Sequence, residues 1–231
     1  VGGGERHVEV AQRARLDEVP ARDPRPQHEP GGEVRGEGVD VGRGLPRVVE
    51  LIRKHTQKPI IYDHQKAGTD IPDTGSLFAK TMHHAGIDEA ILFPQAGPNT
   101  LSAWVHALGE AGVRVSVGAL MTHAGFLQRE GGYLDDALPE RAYAEAVKLG
   151  VTHFVLPLTK PDAVSKLLHL FPDGAEFYSP GFGSQGGDPH AFPAVQTHHL
   201  FVGRSLLKAE DPQKYVEETA RLLRALPKGG T

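Results

Sequence analysis

The chain has 231 residues, enough for one large α/β domain or two small ones, and its 39% hydrophobic and 23% charged residues are within the range of a soluble globular protein. A formal net charge of −4 gives no global attraction to nucleic acid, and no apolar run approaches the roughly 18 residues of a membrane span. The absence of cysteine excludes disulfides, thiolate nucleophiles and thiolate metal sites.

The opening V-G-G-G-E-R-H lacks the apolar core of a signal peptide, which together with the missing cysteines fits a cytoplasmic location. Residues 1–44 form an atypical segment with nine Gly, seven Arg, four Pro, six Glu, one Leu and no Ile, Phe, Tyr, Trp, Met or Lys. Such text buries little apolar surface and is expected to be poorly ordered alone. Its two candidate strands lie around Leu16-Asp17 and at Val39-Asp40-Val41. Two origins fit the composition: a flexible tail, or a shifted reading frame, since an out-of-frame read of GC-rich DNA yields this excess of Gly, Arg, Pro and Ala. Resequencing the source DNA decides between them.

From Leu45 to the C-terminus the text becomes regular and reads as one unit, residues 45–231. Leu45–His55 has helical apolar spacing with Pro46 in the first turn and basic residues in the last. A buried strand follows at Pro59–Tyr62, then a helix over Leu77–Ala85 stopped by Gly86. Ala90–Phe93 reads as a strand, and Thr100–Ala111 as a helix with Thr100 or Asn99 as cap. Val113–Leu120 is a strand, Pro139–Leu149 a helix and His153–Leu156 a strand. Asp162 is expected to cap a helix running to about Phe171. Strands at Glu176–Ser179 and Leu200–Val202 and a helix at Pro212–Leu226 complete the chain. Six strands alternating with helices imply a parallel sheet. With the two N-terminal fragments the count becomes eight, the size of a compact (β/α)8 TIM barrel, with an open doubly wound sheet as the other architecture.

In such folds the chemistry gathers at the carboxyl ends of the strands. There the stretch I-I-Y-D-H-Q-K-A-G-T-D-I-P-D-T-G, Ile60 to Gly75, carries Asp63, Lys66 and Asp70. Two carboxylates flanking a lysine hold it charged and aim its ammonium; the plain alternative is a solvated loop with surface charges. Later, Ser179–Pro189 carries glycines at 181, 183, 186 and 187, and Val202-Gly203-Arg204-Ser205 follows the last strand. A glycine-rich loop turns backbone N–H groups toward an anion, and an arginine forks onto a phosphate. The alternative is a flexible loop and an unrelated arginine. Metal binding is not expected: the thirteen histidines contain no H-E-x-x-H, and the adjacent pairs His83-His84 and His198-His199 point to different sides of their elements. Trp104 reads as packing, Asp73 as a turn or cap residue, and His123 as either structural or part of the site.

The combination of D-H-Q-K-A-G-T-D-I-P-D-T-G, S-P-G-F-G-S-Q-G-G-D-P and F-V-G-R-S-L-L-K-A-E-D-P resembles the archaeal-type orotidine 5′-phosphate decarboxylases. The resemblance implies a (β/α)8 barrel homodimer with active sites at the dimer interface. It further implies a carbon–carbon lyase that converts orotidine 5′-phosphate to UMP and CO2 in pyrimidine synthesis, with no cofactor and no metal. It makes Lys66 the proton donor to C6, with Asp63 facing the substrate carboxylate. Asp70, Ile71 and Thr74 would reach into the partner subunit's site. Thr122 would contact the pyrimidine. Pro180 and Gln185 would sit on the loop that closes over the phosphate, which Gly203 and Arg204 bind. Asp17 would stand at the end of the first strand and contact the ribose.

The sequence departs from this family in two places. The family spacing D-x-K-x-x-D is stretched here to Asp63-x-x-Lys66-x-x-x-Asp70, so Asp63 and Lys66 converge only if the chain bulges or turns after Tyr62, which Gly68 permits. A strand-two lysine is also missing: the matching segment reads Val39-Asp40-Val41-Gly42, and no lysine precedes Lys54. An acidic residue there repels Asp63 and raises carboxylate pKa values, which implies a weak or inactive enzyme that still binds nucleotide phosphate. The competing readings are a Mg2+-dependent sugar-phosphate lyase of the same superfamily and a non-catalytic nucleotide-phosphate-binding barrel.

Overall fold

Proline and glycine set the rhythm of this chain. Proline occupies a first-turn position of α3 (Pro98–Glu110), α4 (Leu138–Lys148), α5 (Pro161–Leu167) and α7 (Pro212–Ala225), where its missing N–H costs nothing. Helix α2 (Gly75–Ala85) ends at Gly86, whose left-handed φ of 77° only glycine adopts freely. Between the helices lie short strands: β2 (Ile61–Asp63), β3 (Glu89–Leu92), β4 (Arg114–Gly118), β5 (His153–Val155), β6 (Glu176–Ser179) and β7 (Thr197–Val202). These six fall where the apolar runs place them. The computed structural model describes residues 6–10, 41–63 and 67–227.

The strands form one parallel sheet in the order β1-β7-β6-β5-β4-β3-β2, with β1 at Arg6–Val10. The first strand pairs in parallel with the last, Val8 opposite Leu200. This cyclic order is that of a (β/α)8 barrel. Its two edges, β1 and β2, are consecutive in the chain, and residues 11–40 between them lie outside the described residues.

Several expectations are corrected. A strand stands at Arg6–Val10, where none was expected, although Val8 and Val10 alternate with polar neighbours as a strand requires. Val41 opens α1 (Val41–Arg53) instead of ending a strand, because V-G-R-G offers no apolar alternation and the helical face through Leu45, Val49 and Ile52 governs its neighbourhood. Leu16-Asp17 and Val39-Asp40 lie outside the described residues. Gly97, not Asn99 or Thr100, caps α3, because Pro98 sets the first turn two residues earlier. For the same reason Lys160, preceding Pro161, takes the cap position expected of Asp162, and α5 gives way at Leu168 to a 3-10 turn.

The core divides by strand alternation. Ala90 and Leu92 belong to the large layer between sheet and helices, with Met82, Leu108, Phe154 and Leu200. Ile91 and Phe93 face the other way and pack with Val155 and Tyr178 inside the curled sheet. A polar floor accompanies them. Glu89, fully buried, accepts hydrogen bonds from Ser116 Oγ, from Arg114 Nη2 at 3.1 Å and from Tyr178 OH at 3.3 Å. The adjacent histidines point apart as expected. His198 Nε2 lies 2.8 Å from Ser179 Oγ, while His199 Nε2 lies 3.0 Å from Glu176 Oε2 and its ring stacks on Tyr178.

Candidate active site

Strands β4, β5, β6 and β7 end side by side at one rim, and the loops that leave them are tied to each other. Leu158 N donates to Pro180 O at 2.9 Å, which carries the β5–β6 pairing beyond the strands. The glycine-rich loop then folds on itself: Gly187 N donates to Gly181 O at 2.9 Å, and Gly186 N to Gly183 O at 2.9 Å. Glycine is needed because of close approach. A Cβ on Gly187 would lie 2.6 Å from Leu158 Cβ and 2.7 Å from Gly181 O. One at Gly181 would lie 3.1 Å from Thr159 Cγ2, 3.5 Å from Thr122 Cγ2 and 3.7 Å from Gln185 Oε1.

Four residues from three loops therefore converge: Thr122 after β4, Thr159 after β5, and Gly181 and Gln185 after β6. Thr159 Oγ1 donates to Thr122 O at 2.8 Å and locks the first two loops together. The fourth loop joins through Ser205, whose Oγ accepts from Ser184 N at 3.1 Å. Beside it, Gly203 precedes α6 (Arg204–Leu207), and Arg204 is exposed with no ion pair among the described residues. The rim thus offers a guanidinium, a carboxamide and hydroxyls, side-chain groups suited to an oxyanion such as phosphate.

The second group of candidates sits at the other end of the sheet. Asp63 is the last residue of β2, opposite Ile91. The preceding Tyr62 is half-buried. Burial pushes its phenol up, and the negative charge of Asp63 adds to that. Gly68 adopts φ 83°, so the chain does turn after the strand, and Ala67 O accepts from Phe93 N at 2.8 Å. Asp70 is exposed, and its Oδ1 accepts from Ile71 N at 2.8 Å. Ile71 is 57% exposed, while the Thr74 hydroxyl donates to Ile71 O at 2.8 Å. Lys66 and Asp17 lie outside the described residues.

A separate cleft, lined by Leu127, Arg129, Glu130, Asp136, Thr159, Lys160 and Lys166 among others, opens between the loops after β4 and β5. Its charges largely neutralise each other: Lys160 pairs with Glu130 at 2.5 Å and Arg129 with Asp136 at 3.4 Å. Burial would raise the Glu130 carboxyl, but the Lys160 hydrogen bond and charge and the backbone amides of Phe126 and Leu127 outweigh it and hold the pKa below 4.5. Thr159 is absent from the sequence reading, and Ser205 has no role there of its own. Thr159, in L-P-L-T-K-P, carries a signal in retrospect, because it follows a strand as Thr122 does. His123 is exposed and meets Phe126 edge-on, and Asp73 lies in the 3-10 turn Pro72–Thr74. Among the described residues no cluster of three or more His, Asp or Glu could hold a metal ion, and no helix is long and apolar enough to cross a membrane.

A parallel β/α barrel with an oxyanion-suited donor set on the loops after its last strands is the framework of a phosphate-handling barrel enzyme. Residues 34–219 match the model of the family described as "Orotidine 5'-phosphate decarboxylase / HUMPS family". The chain belongs to this family. Curated relatives include orotidine 5′-phosphate decarboxylases of Methanosarcina mazei, 30% identical over 83% of this chain and 80% of the relative, and of Methanosarcina barkeri, 33% identical over 72% of each. Among solved structures, the orotidine 5′-monophosphate decarboxylase of Methanocaldococcus jannaschii, complexed with the inhibitor BMP, superposes with a TM-score of 0.65 at 22% identity, covering 77% of this chain and 79% of that one. The Pyrococcus horikoshii enzyme gives 0.64 at 24% identity, covering 80% and 83%. These similarities show the barrel fold.

Proposed function

We propose that this chain decarboxylates orotidine 5′-phosphate to UMP and CO2, without metal or cofactor, as a cytoplasmic homodimer with shared active sites. The observation that carries the reading is the docking of the 179–189 loop onto Thr122, Thr159 and Ser205, beside the exposed Arg204, in a chain 30% identical to named decarboxylases. In this reading Arg204, Gly203 and the loop hold the phosphate, with Gln185 and Pro180 closing over it. Thr122 contacts the pyrimidine. Asp17 contacts the ribose.

The C6–carboxylate bond breaks, CO2 leaves, and the electron pair stays on C6. Lys66, held charged between Asp63 and Asp70, stabilises that charge as it develops and then transfers its proton to C6. The phosphate supplies binding energy remote from the reacting carbon, and loop closure excludes water. Asp70, Ile71 and Thr74 act across the dimer interface.

One sequence feature favours a second reading, a barrel that binds nucleotide phosphate but turns over little. No lysine precedes Lys54, so the strand-two lysine that the resemblance implies has no counterpart in residues 1–53. The absorbance change of orotidine 5′-phosphate decides between them, measured with and without EDTA beside Lys66→Ala. Turnover that survives EDTA and vanishes in the variant supports the decarboxylase. Loss with EDTA points to the Mg2+-dependent sister chemistry. UMP binding without turnover supports the non-catalytic barrel.

A further inference from the structure

Two donors on one face of α3 reach across to the loop that carries Asp70. Thr100 and Trp104 are four residues apart, and so stack on the same side of the helix. Both are buried, at 2% and 5% exposure. Thr100 Oγ1 donates to Asp70 O at 2.9 Å, and Trp104 Nε1 donates to Ile71 O at 3.1 Å. The two acceptors are consecutive carbonyls. The backbone is thus fastened from beneath while the side chains of Asp70 and Ile71 remain exposed.

The surroundings fit the indole to this task. A Cβ on Gly75 would lie 2.8 Å from Trp104 Cδ1, so the ring occupies space that any other residue at 75 would contest. Phe78 packs on the indole at 4.7 Å between centroids and meets Tyr62 at 6.1 Å. Tyr62 immediately precedes Asp63. One aromatic chain therefore runs from the strand end bearing Asp63 to the loop bearing Asp70.

We propose that Thr100 and Trp104 are positioning residues that hold the Asp70–Ile71 loop in register with the end of β2. The catalytic consequence rests on the decarboxylase reading; the holding itself does not. Neither residue is assigned a contact with substrate. They act through two main-chain carbonyls.

The test uses the full chain with Thr100→Val, which removes the hydroxyl at constant shape, Thr100→Ser, which keeps it, and Trp104→Phe, which keeps a ring and loses the N–H. Hydrogen–deuterium exchange is read on the peptide spanning residues 69–76. The amides of that peptide are expected to exchange about tenfold faster in Thr100→Val and Trp104→Phe, with Thr100→Ser close to the parent and the β4–β7 peptides unchanged. On orotidine 5′-phosphate, kcat is expected to fall about tenfold in the same two variants while KM moves by less than about threefold, and Thr100→Ser restores kcat. Unchanged exchange in both variants overturns the proposal whatever the reaction. Faster exchange with unchanged kcat in an active enzyme overturns the positioning role. A parent protein that does not turn over orotidine 5′-phosphate refutes the decarboxylase reading alone, and the exchange measurement then decides the clamp.

Discussion

Gly183→Ala is the sharpest probe of the loop that is proposed to close over phosphate. Gly183 adopts φ 70°, and a Cβ there would drive into Ser205 Oγ, approach Ser205 Cβ at 3.1 Å and reach Tyr215 OH at 3.4 Å. A left-handed alanine costs about 1–2 kcal/mol. Clearing the clash means rotating Ser205 Oγ away from Ser184 N, now 3.1 Å distant, a hydrogen bond worth about 1 kcal/mol. Both costs fall on the docked loop, and Gly183 and Ser184 are exposed, so the loop can shift without unfolding the barrel. The sum, about 2–3 kcal/mol, corresponds to about 30- to 150-fold in KM for orotidine 5′-phosphate. Steady-state kinetics with thermal unfolding alongside read this directly. Ser205→Ala alone loses only the acceptor and is expected to raise KM about fivefold. In the double variant the clash with Oγ is gone, so the two effects combine to less than their sum. A Gly183→Ala enzyme with KM within about twofold of the parent refutes the argument, as does one whose melting temperature falls while KM stands still.

Two further predictions concern the scaffold. The phenol of Tyr143, fully buried and pushed well above its ordinary pKa by burial, accepts from Ala119 N at 3.0 Å and donates to Val155 O at 2.8 Å. Tyr143→Phe keeps the ring contacts with Phe154 and Phe171 but strands both backbone groups, a loss of about 2–4 kcal/mol, or about 5–15 °C in melting temperature; a urea-unfolding loss below about 0.5 kcal/mol counts against it. Glu130 has a folded pKa below its unfolded value near 4.5, so its ion pair with Lys160 stabilises the fold above that pH and ceases to as pH falls through the folded value. Glu130→Gln should therefore cost about 1–3 kcal/mol at neutral pH and progressively less below pH 4.5, whereas a difference constant with pH would exclude the pairing as its cause.

How legible the molecule is from sequence depends on the range over which each feature is decided. The six strands from Ile61 to Val202 are short apolar runs bounded by proline and glycine, a local signal, and each falls where that signal places it. The starts of α3 and α5 shift by a few residues because a first-turn proline outranks a nearby Asp or Thr as the cue, whereas α1 begins four residues ahead of Leu45 and takes Pro46 into its interior. The strand at Arg6–Val10 was hidden by composition: its alternation is visible, but the glycine and arginine around it outweigh two valines. Thr122 and Gln185 enter the sequence reading through the family resemblance, and the structure brings both to Gly181 on loops of neighbouring strands. Thr159 and Ser205 were not singled out, since a threonine or serine after a strand is unremarkable until its hydroxyl is seen bonded to another loop. Trp104 reads as packing in the sequence and does pack; that its N–H also reaches Ile71 O depends on how α3 crosses the loop after β2, a tertiary fact with no local trace.

The two halves of the candidate site are consequently held by different means. The half proposed to hold phosphate is positioned by missing atoms: Gly181, Gly183 and Gly187 let loops from adjacent strands lie against one another, and added atoms there displace those loops. The charged half is positioned by donors that reach from a neighbouring helix to Asp70 O and Ile71 O, and it loosens when those donors are removed. Binding energy gathered at a phosphate remote from the reacting carbon appears in KM when its geometry is lost. Alignment of charges that stabilise only the developing carbanion appears in kcat. On the proposed reading, the separation by mechanism of support should match a separation by kinetic parameter: damage at residues 181–187 is expected in KM, and damage at Thr100 and Trp104 in kcat.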